Sequence, residues 1–168
     1  MKRKAFNREK YIIHKLIKKE IFSIQNHYLD NRAILIESLK IVQKYYGWVS
    51  QNSLIFLSKL LKIPISNIES VATFYSQIFR TPVGRYVIKF CDSMVCYVNG
   101  YKKVKYTLEK ILKIKCGETT KDKNFTLLPI CCLGACDRGP VVMINNKTYF
   151  FITEKSIIKL LDSLEHEK

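Results

Sequence analysis

Glycine is scarce in this chain, with six in 168 residues, and none falls in a Gly-x-Gly-x-x-Gly or Gly-x4-Gly-Lys pattern. A loop that cradles phosphate needs such spacing to bring several backbone N–H groups close to the anion. The chain is therefore expected not to bind NADH or ATP unaided. Histidine is scarcer still. His14, His27 and His166 are all remote from the cysteine clusters, which excludes a Rieske centre with its two histidine ligands. They read as surface or packing residues. No Gly-x-Ser-x-Gly elbow and no His-Glu-x-x-His occurs, so the hydrolase chemistries that depend on them are excluded. No two cysteines are separated by two residues, which excludes a thioredoxin-type dithiol pair.

Long apolar runs are also missing. The most apolar stretch, Ser53 to Ile65, is interrupted by Lys59 and Lys62, so no membrane span is expected. Met1-Lys2-Arg3-Lys4 leads into Asn7-Arg8-Glu9-Lys10 rather than an apolar core, and no secretory signal is expected. In a reducing compartment, six cysteines favour metal binding over disulfides.

Acidic residues are in deficit, 14 against 29 basic, for a formal charge of +15. A charge of that size usually points to nucleic acid or an anionic membrane. Here it is nearly all lysine, 23 Lys against 6 Arg, scattered along the helices, while Ile (21) far exceeds Ala (4). That skew reads as drift toward A/T-rich codons, and no nucleic-acid motif accompanies it. With 48% hydrophobic residues the chain has apolar surface enough for a core, and its length suits one ordinary domain or two small ones.

Residues 1–82 read as helical. Ile13, Leu16, Ile17, Ile21 and Ile24 keep helical spacing from Tyr11, with Lys15, Lys18 and Lys19 opposite. Asp30 is a candidate N-cap for a second helix that carries Ile34, Leu39 and Val42 and stops near Gly47. A third is expected over Gln51 to Lys62. Pro64 breaks the pattern, and Ser66-Asn67-Ile68-Glu69 reads as a capping box opening a fourth helix through Val71-Ala72-Thr73-Phe74-Tyr75-Ser76. Arg80-Thr81-Pro82-Val83-Gly84 ends this part.

Residues 83–168 change period. Tyr86 to Phe90 is a strand that delivers Cys91, and Val104, Leu108, Ile111 and Leu112 mark one face of a helix. Phe125 to Ile130 is a second strand, with Pro129 implying an edge or a bulge. Val141 to Ile144 and Thr148 to Phe151 suggest a hairpin around Asn145-Asn146-Lys147. Thr153 caps a last helix carrying Ile157, Leu160, Leu161 and Leu164. The order predicts an α+β architecture, a helical bundle followed by helices against a small sheet.

The chemistry sits in Cys91-Asp92-Ser93-Met94-Val95-Cys96 and Cys131-Cys132-Leu133-Gly134-Ala135-Cys136, with 35 residues between Cys96 and Cys132. Two thiolates from each of two loops suit a 2Fe-2S cluster, in which each iron takes two protein sulfurs. A helix after Cys96 would aim backbone N–H groups at such an anionic centre, and Gly134 and Gly139 suit backbone wrapped close to sulfur. Asp137 and Arg138 are charges that could support the centre or dock a partner, or simply form a solvated pair. Spacing does not choose between Cys131 and Cys132. Consecutive strand residues face opposite ways, so one of the two should reach the centre and the other become a small buried hydrophobe. Cys116 reads as a bystander. Structural zinc also accepts four cysteines at these gaps.

At these residues the chain resembles the thioredoxin-like 2Fe-2S family that supplies the E subunit to the NADH dehydrogenase module of bacterial respiratory complex I. The resemblance rests on Val71-Ala72-Thr73-Phe74-Tyr75-Ser76, on Cys91-Asp92-Ser93 leading to Cys96, and on Leu128-Pro129-Ile130-Cys131-Cys132-Leu133-Gly134-Ala135-Cys136 with Gly139-Pro140. It covers nearly the whole chain and implies Cys91, Cys96, Cys132 and Cys136 as the ligands of one 2Fe-2S cluster. It further implies that residues 1–82 form a partner-binding helical domain and 83–168 a thioredoxin-like domain. The implied partners are the F subunit, which binds FMN and NADH, and the iron-sulfur G subunit. The implied place is cytoplasmic, at the tip of an enzyme peripheral to the inner membrane, with no nucleic acid bound and no direct membrane insertion. The family's cluster exchanges single electrons with the flavin, off the main line of clusters to quinone, and so limits the lifetime of a flavin radical. The equivalent subunit of a soluble NAD-linked hydrogenase or formate dehydrogenase shares these motifs, and a structural zinc module is the more remote alternative.

Overall fold

The computed structural model describes residues 2–28 and 30–166. The chain divides into two compact units, Met1–Pro82 and Val83–Lys168.

The first unit holds four helices, α1 (Lys2–Gln25), α2 (Leu35–Tyr46), α3 (Gln51–Leu61) and α4 (Ile65–Phe74). Each turns an apolar stripe inward. Ile17 and Ile21, Leu39 and Val42, Leu54 and Leu57, and Ile68 and Ala72 are all fully buried in one core. Burial of side chains of this size contributes roughly 1.5–3 kcal/mol each. Gly47 ends α2 at φ 77°, its N–H donating to Gln43 O, the left-handed cap expected from the sequence. Ser50 caps α3 by accepting from Ser53 N–H.

Two expected caps are corrected. Asp30 does not cap α2. Its Oδ1 accepts from the backbone N–H groups of Arg32 and Ala33 at 2.7 and 2.8 Å, closing a turn ahead of a helix that begins at Leu35. Ser66 is not an N-cap either, because Pro64 takes that place and Ser66 lies inside α4. Glu69 meets Arg80 instead, whose Nη2 donates to both carboxylate oxygens at 3.0 and 3.1 Å. Arg80 Nη1 also donates to Val49 O. The same helix ends at Phe74, two residues short of the expected Ser76.

Tyr46 Oη is buried with no hydrogen-bond partner among the described residues, and burial pushes its phenol above the usual range. An unmet buried hydroxyl costs about 1–3 kcal/mol. Tyr46→Phe is therefore expected to leave the unfolding free energy unchanged or raise it by about 1 kcal/mol, as read by urea unfolding.

The second unit is a mixed four-stranded sheet of order β2-β1-β3-β4, with β1 (Tyr86–Cys91), β2 (Phe125–Ile130), β3 (Val142–Ile144) and β4 (Lys147–Tyr149). Between β1 and β2 run α5 (Met94–Val98) and α6 (Tyr101–Leu112), and α7 (Glu154–His166) follows β4. Strand β1 pairs parallel with β2, Tyr86 opposite Phe125 and Cys91 opposite Ile130, and antiparallel with β3. Pro129 is accommodated because β2 is an edge strand. Ile88, Phe90, Leu127, Val142 and Ile144 share one core with Val104 and Leu108 of α6 and Ile157, Leu161 and Leu164 of α7. Ile111, expected on that buried face, is 41% exposed in the last turn of α6. Thr153 and Ser156 cap α7 reciprocally, Thr153 Oγ1 accepting from Ser156 N–H and Ser156 Oγ from Thr153 N–H.

Candidate metal centre

The parallel pairing of β1 and β2 brings the two cysteine clusters together. Parallel neighbours point the same way, so the chain leaves both strands at one end of the sheet. Cys91 closes β1, and Cys132 follows two residues after Ile130, the register partner of Cys91. Cys96 lies inside α5, and Cys136 opens a short 3-10 turn, Cys136–Arg138. The helix expected after Cys96 is α6, and the short α5 that contains Cys96 precedes it. Cys91 and Cys96 are about 1% exposed and pack with Ala135 and Val141, with Tyr101, Leu133 and Phe150 around them. This apolar wall borders the sulfurs and keeps water from that side.

The four sulfurs form two linked pairs. Cys132 Sγ lies 3.2 Å from Cys136 Sγ, and the buried Cys91 and Cys96 sulfurs act on each other's ionisation. Across the pairs, Cys136 and Cys91 act on each other's charge, as do Cys132 with Cys91 and Cys136 with Cys96. Burial and the adjacent Cys91 sulfur push the Cys96 thiol up to about 11. Its bond to Cys132, then burial, pushes Cys136 upward. Gly134 N–H donates to Cys132 Sγ at 3.3 Å and with Cys136 holds that thiol low. Burial alone would raise Cys91, but hydrogen bonds from Ser93, Cys96 and the Leu133 N–H outweigh it and leave that thiol low. Among the described residues no three His, Cys, Asp or Glu side chains converge on a single ion. All six cysteines are free thiols.

The donor set suits a binuclear iron-sulfur group better than a lone ion. It offers two pairs of thiols from two loops, with backbone N–H groups of Leu133, Gly134 and Val141 aimed at sulfur. Cys131 is exposed and is not the buried hydrophobe expected of whichever neighbour was left over. Strand β2 ends at Ile130, so strand alternation no longer sets where residue 131 points. Cys116 packs at the margin of the sheet core. Arg138 stacks on Phe150 at 4.0 Å and lies 3.5 Å from Asp137.

Two glycines act differently here. Gly134 has φ 79° with open space where a Cβ would go, whereas at Gly139 a Cβ would lie 3.0 Å from Asn99 Nδ2 and 3.4 Å from Cys96 Sγ. Gly134→Ala meets no neighbour, only the left-handed backbone, at a cost of roughly 1–2 kcal/mol. Thermal unfolding of the iron-loaded chain should show that loss, and Gly134→Asn, which tolerates this backbone better, should show less of it.

A parallel β-α-β unit that brings two cysteine loops to one sheet end, followed by a hairpin and a closing helix, defines a thioredoxin-like domain. Residues 21–165 match the family model described as thioredoxin-like [2Fe-2S] ferredoxin. The chain belongs to the thioredoxin-like [2Fe-2S] ferredoxin family. It is similar to the E subunit of NADH-quinone oxidoreductase from Buchnera aphidicola subsp. Acyrthosiphon pisum (strain APS), 57% identical over 152 residues, covering 89% of this chain and 94% of that protein. It is also similar to the E subunit of the same enzyme from Escherichia coli (strain K12), 55% identical over 137 residues and 82% of each chain. Among solved structures it resembles an NAD+-reducing [NiFe]-hydrogenase in the air-oxidised state, with a TM-score of 0.71 and 25% identity over 80% of this chain and 23% of that one.

Proposed function

We propose that this chain is the E-type electron-transfer subunit of an NADH:quinone oxidoreductase and that Cys91, Cys96, Cys132 and Cys136 hold its one 2Fe-2S cluster. When bound, such a cluster supplies storage and transfer of one electron at a time. It cannot take a hydride, so a partner that handles NADH is required. In this reading the partner is the flavin- and NADH-binding F subunit, with the iron-sulfur G subunit in the same assembly. The helical unit serves partner binding, and the chain sits peripherally on the cytoplasmic side of the membrane. No helix among the described residues is long and apolar enough to cross a membrane.

The observation that carries this reading is the meeting of the two cysteine loops at one end of the parallel β1–β2 pair, Cys91 and Cys96 buried in one apolar cluster and Cys132 Sγ 3.2 Å from Cys136 Sγ. The protein's own part is plain in chemical terms. Cys91 and Cys96 anchor one side of the centre in an apolar wall, which limits water and hence solvent reorganisation. Cys132 is exposed and Cys136 half-buried, which leaves a side open to a partner.

The likeness to the hydrogenase chain favours a second reading, the equivalent subunit of a soluble NAD-linked hydrogenase. The higher identity to the two NADH-quinone oxidoreductase chains favours the first. The test is anaerobic addition of NADH to the chain copurified with its native partners. A new rhombic spin-one-half EPR signal at one spin per chain is expected. A signal that dithionite elicits and NADH does not would overturn electron exchange with the partner's flavin. Copurification with a nickel-containing protein would favour the hydrogenase reading.

A further inference from the structure

Ser93 occupies the N-cap of α5, with φ −73° and ψ 166°, yet its side chain makes no capping hydrogen bond. Serine is preferred at N-caps because its oxygen accepts from the N–H groups of the first turn. Here the hydroxyl is turned elsewhere. Ser93 Oγ lies 3.2 Å from Cys91 Sγ. Among the described residues the other donors to the cysteine sulfurs from outside the cysteines, at Ser93 itself, Leu133, Gly134 and Val141, are backbone N–H groups.

Between a thiol and a hydroxyl either atom can donate, but a metal-bound thiolate has no proton, so with metal in place the serine must be the donor. A hydrogen bond to a thiolate grows stronger as the sulfur becomes more electron-rich, which is what reduction of the centre does. It therefore stabilises the reduced state more than the oxidised one and raises the potential.

We propose that Ser93 is a positioning residue of this centre, its hydroxyl donating to the Cys91 sulfur and setting the reduction potential upward. This rests on the cluster reading given under Proposed function.

The test is an EPR-monitored redox titration of the full chain, loaded with iron and sulfide, for the wild type, Ser93→Ala, Ser93→Gly and Ser93→Thr. Ser93→Ala and Ser93→Gly should shift the midpoint to more negative potential, and Ser93→Thr, which keeps the hydroxyl, should lie near the wild type. Because the hydroxyl does not cap α5, the thermal unfolding midpoint of the loaded Ser93→Ala chain should stay at the wild-type value. An unchanged midpoint potential in Ser93→Ala at full iron content overturns the proposal, as does an equal shift in Ser93→Thr. Should the alanine and glycine chains load poorly, resonance Raman spectra of the wild type, Ser93→Thr and whatever fraction of Ser93→Ala is loaded, each in H2O and D2O, decide. A deuterium shift of the iron-sulfur stretches larger in the wild type and Ser93→Thr than in Ser93→Ala supports the bond, and an equal shift in all three overturns it. A wild-type chain that takes up no iron or sulfide would instead defeat the underlying cluster reading.

Discussion

Serine in place of Cys96 is expected to cut iron and sulfide content to a small fraction of wild type, while serine in place of Cys131 leaves both unchanged. The contrast follows from geometry. Cys96 is about 1% exposed, its ionisation acted on by the Cys91 sulfur and by the Val141 N–H. A hydroxyl there is a poorer ligand for iron and leaves a wall shaped for sulfur. Cys131 is exposed and takes no part in the sulfur set. Iron and acid-labile sulfide assays on the two purified variants give the answer. Equal loss in both would mean that the ligand pair of the second loop has been assigned wrongly.

Ile88→Ala is expected to destabilise the sheet unit by about 2–5 kcal/mol, a large part of the 5–15 kcal/mol that typically holds a domain folded. Ile88 is fully buried at the centre of β1, with Leu127 of β2 as its register partner on one side and Ile144 of β3 on the other. Its removal leaves a cavity in the strand that ends at Cys91. Loss of stability should therefore be accompanied by faster loss of iron, since the strand end positions the first ligand. Circular dichroism melts and the rate of iron release to a chelator check the two effects separately. A variant as stable as wild type would show that the core can collapse around this site.

How much of this was legible in the sequence depends on whether the deciding interaction was local. Gly47 and Thr153 mark their helix ends correctly, because a left-handed cap and an N-cap bond involve neighbours within one turn. Ser66-Asn67-Ile68-Glu69 has the same local form yet makes no cap. Glu69 is drawn to Arg80, 11 residues on, and the helix already opens at Ile65, which puts Ser66 inside it. Asp30 serves a turn of the same chemistry as a cap, displaced by a few residues. Pro129 correctly implies an edge strand because its missing N–H is a property of the residue itself.

The site shows the same division. Two pairs of cysteines suggest the chemistry, but the choice between Cys131 and Cys132 does not come from spacing, and only the resemblance to a known family makes it. Alternation of strand faces does not carry to residue 131, one position beyond β2, where the ladder has already ended. The preference of serine for N-caps points Ser93 to the first turn of α5, and only the structure shows its hydroxyl turned to the Cys91 sulfur instead.

The measurement that tests the central claim most directly is joint assay of iron, zinc and acid-labile sulfide on the anaerobically purified chain, with Mössbauer spectra before and after dithionite. Two irons and two sulfides per chain are predicted, with a diamagnetic oxidised state and one ferric and one ferrous site after reduction. One zinc per chain with no sulfide would contradict the cluster assignment and leave a structural metal module.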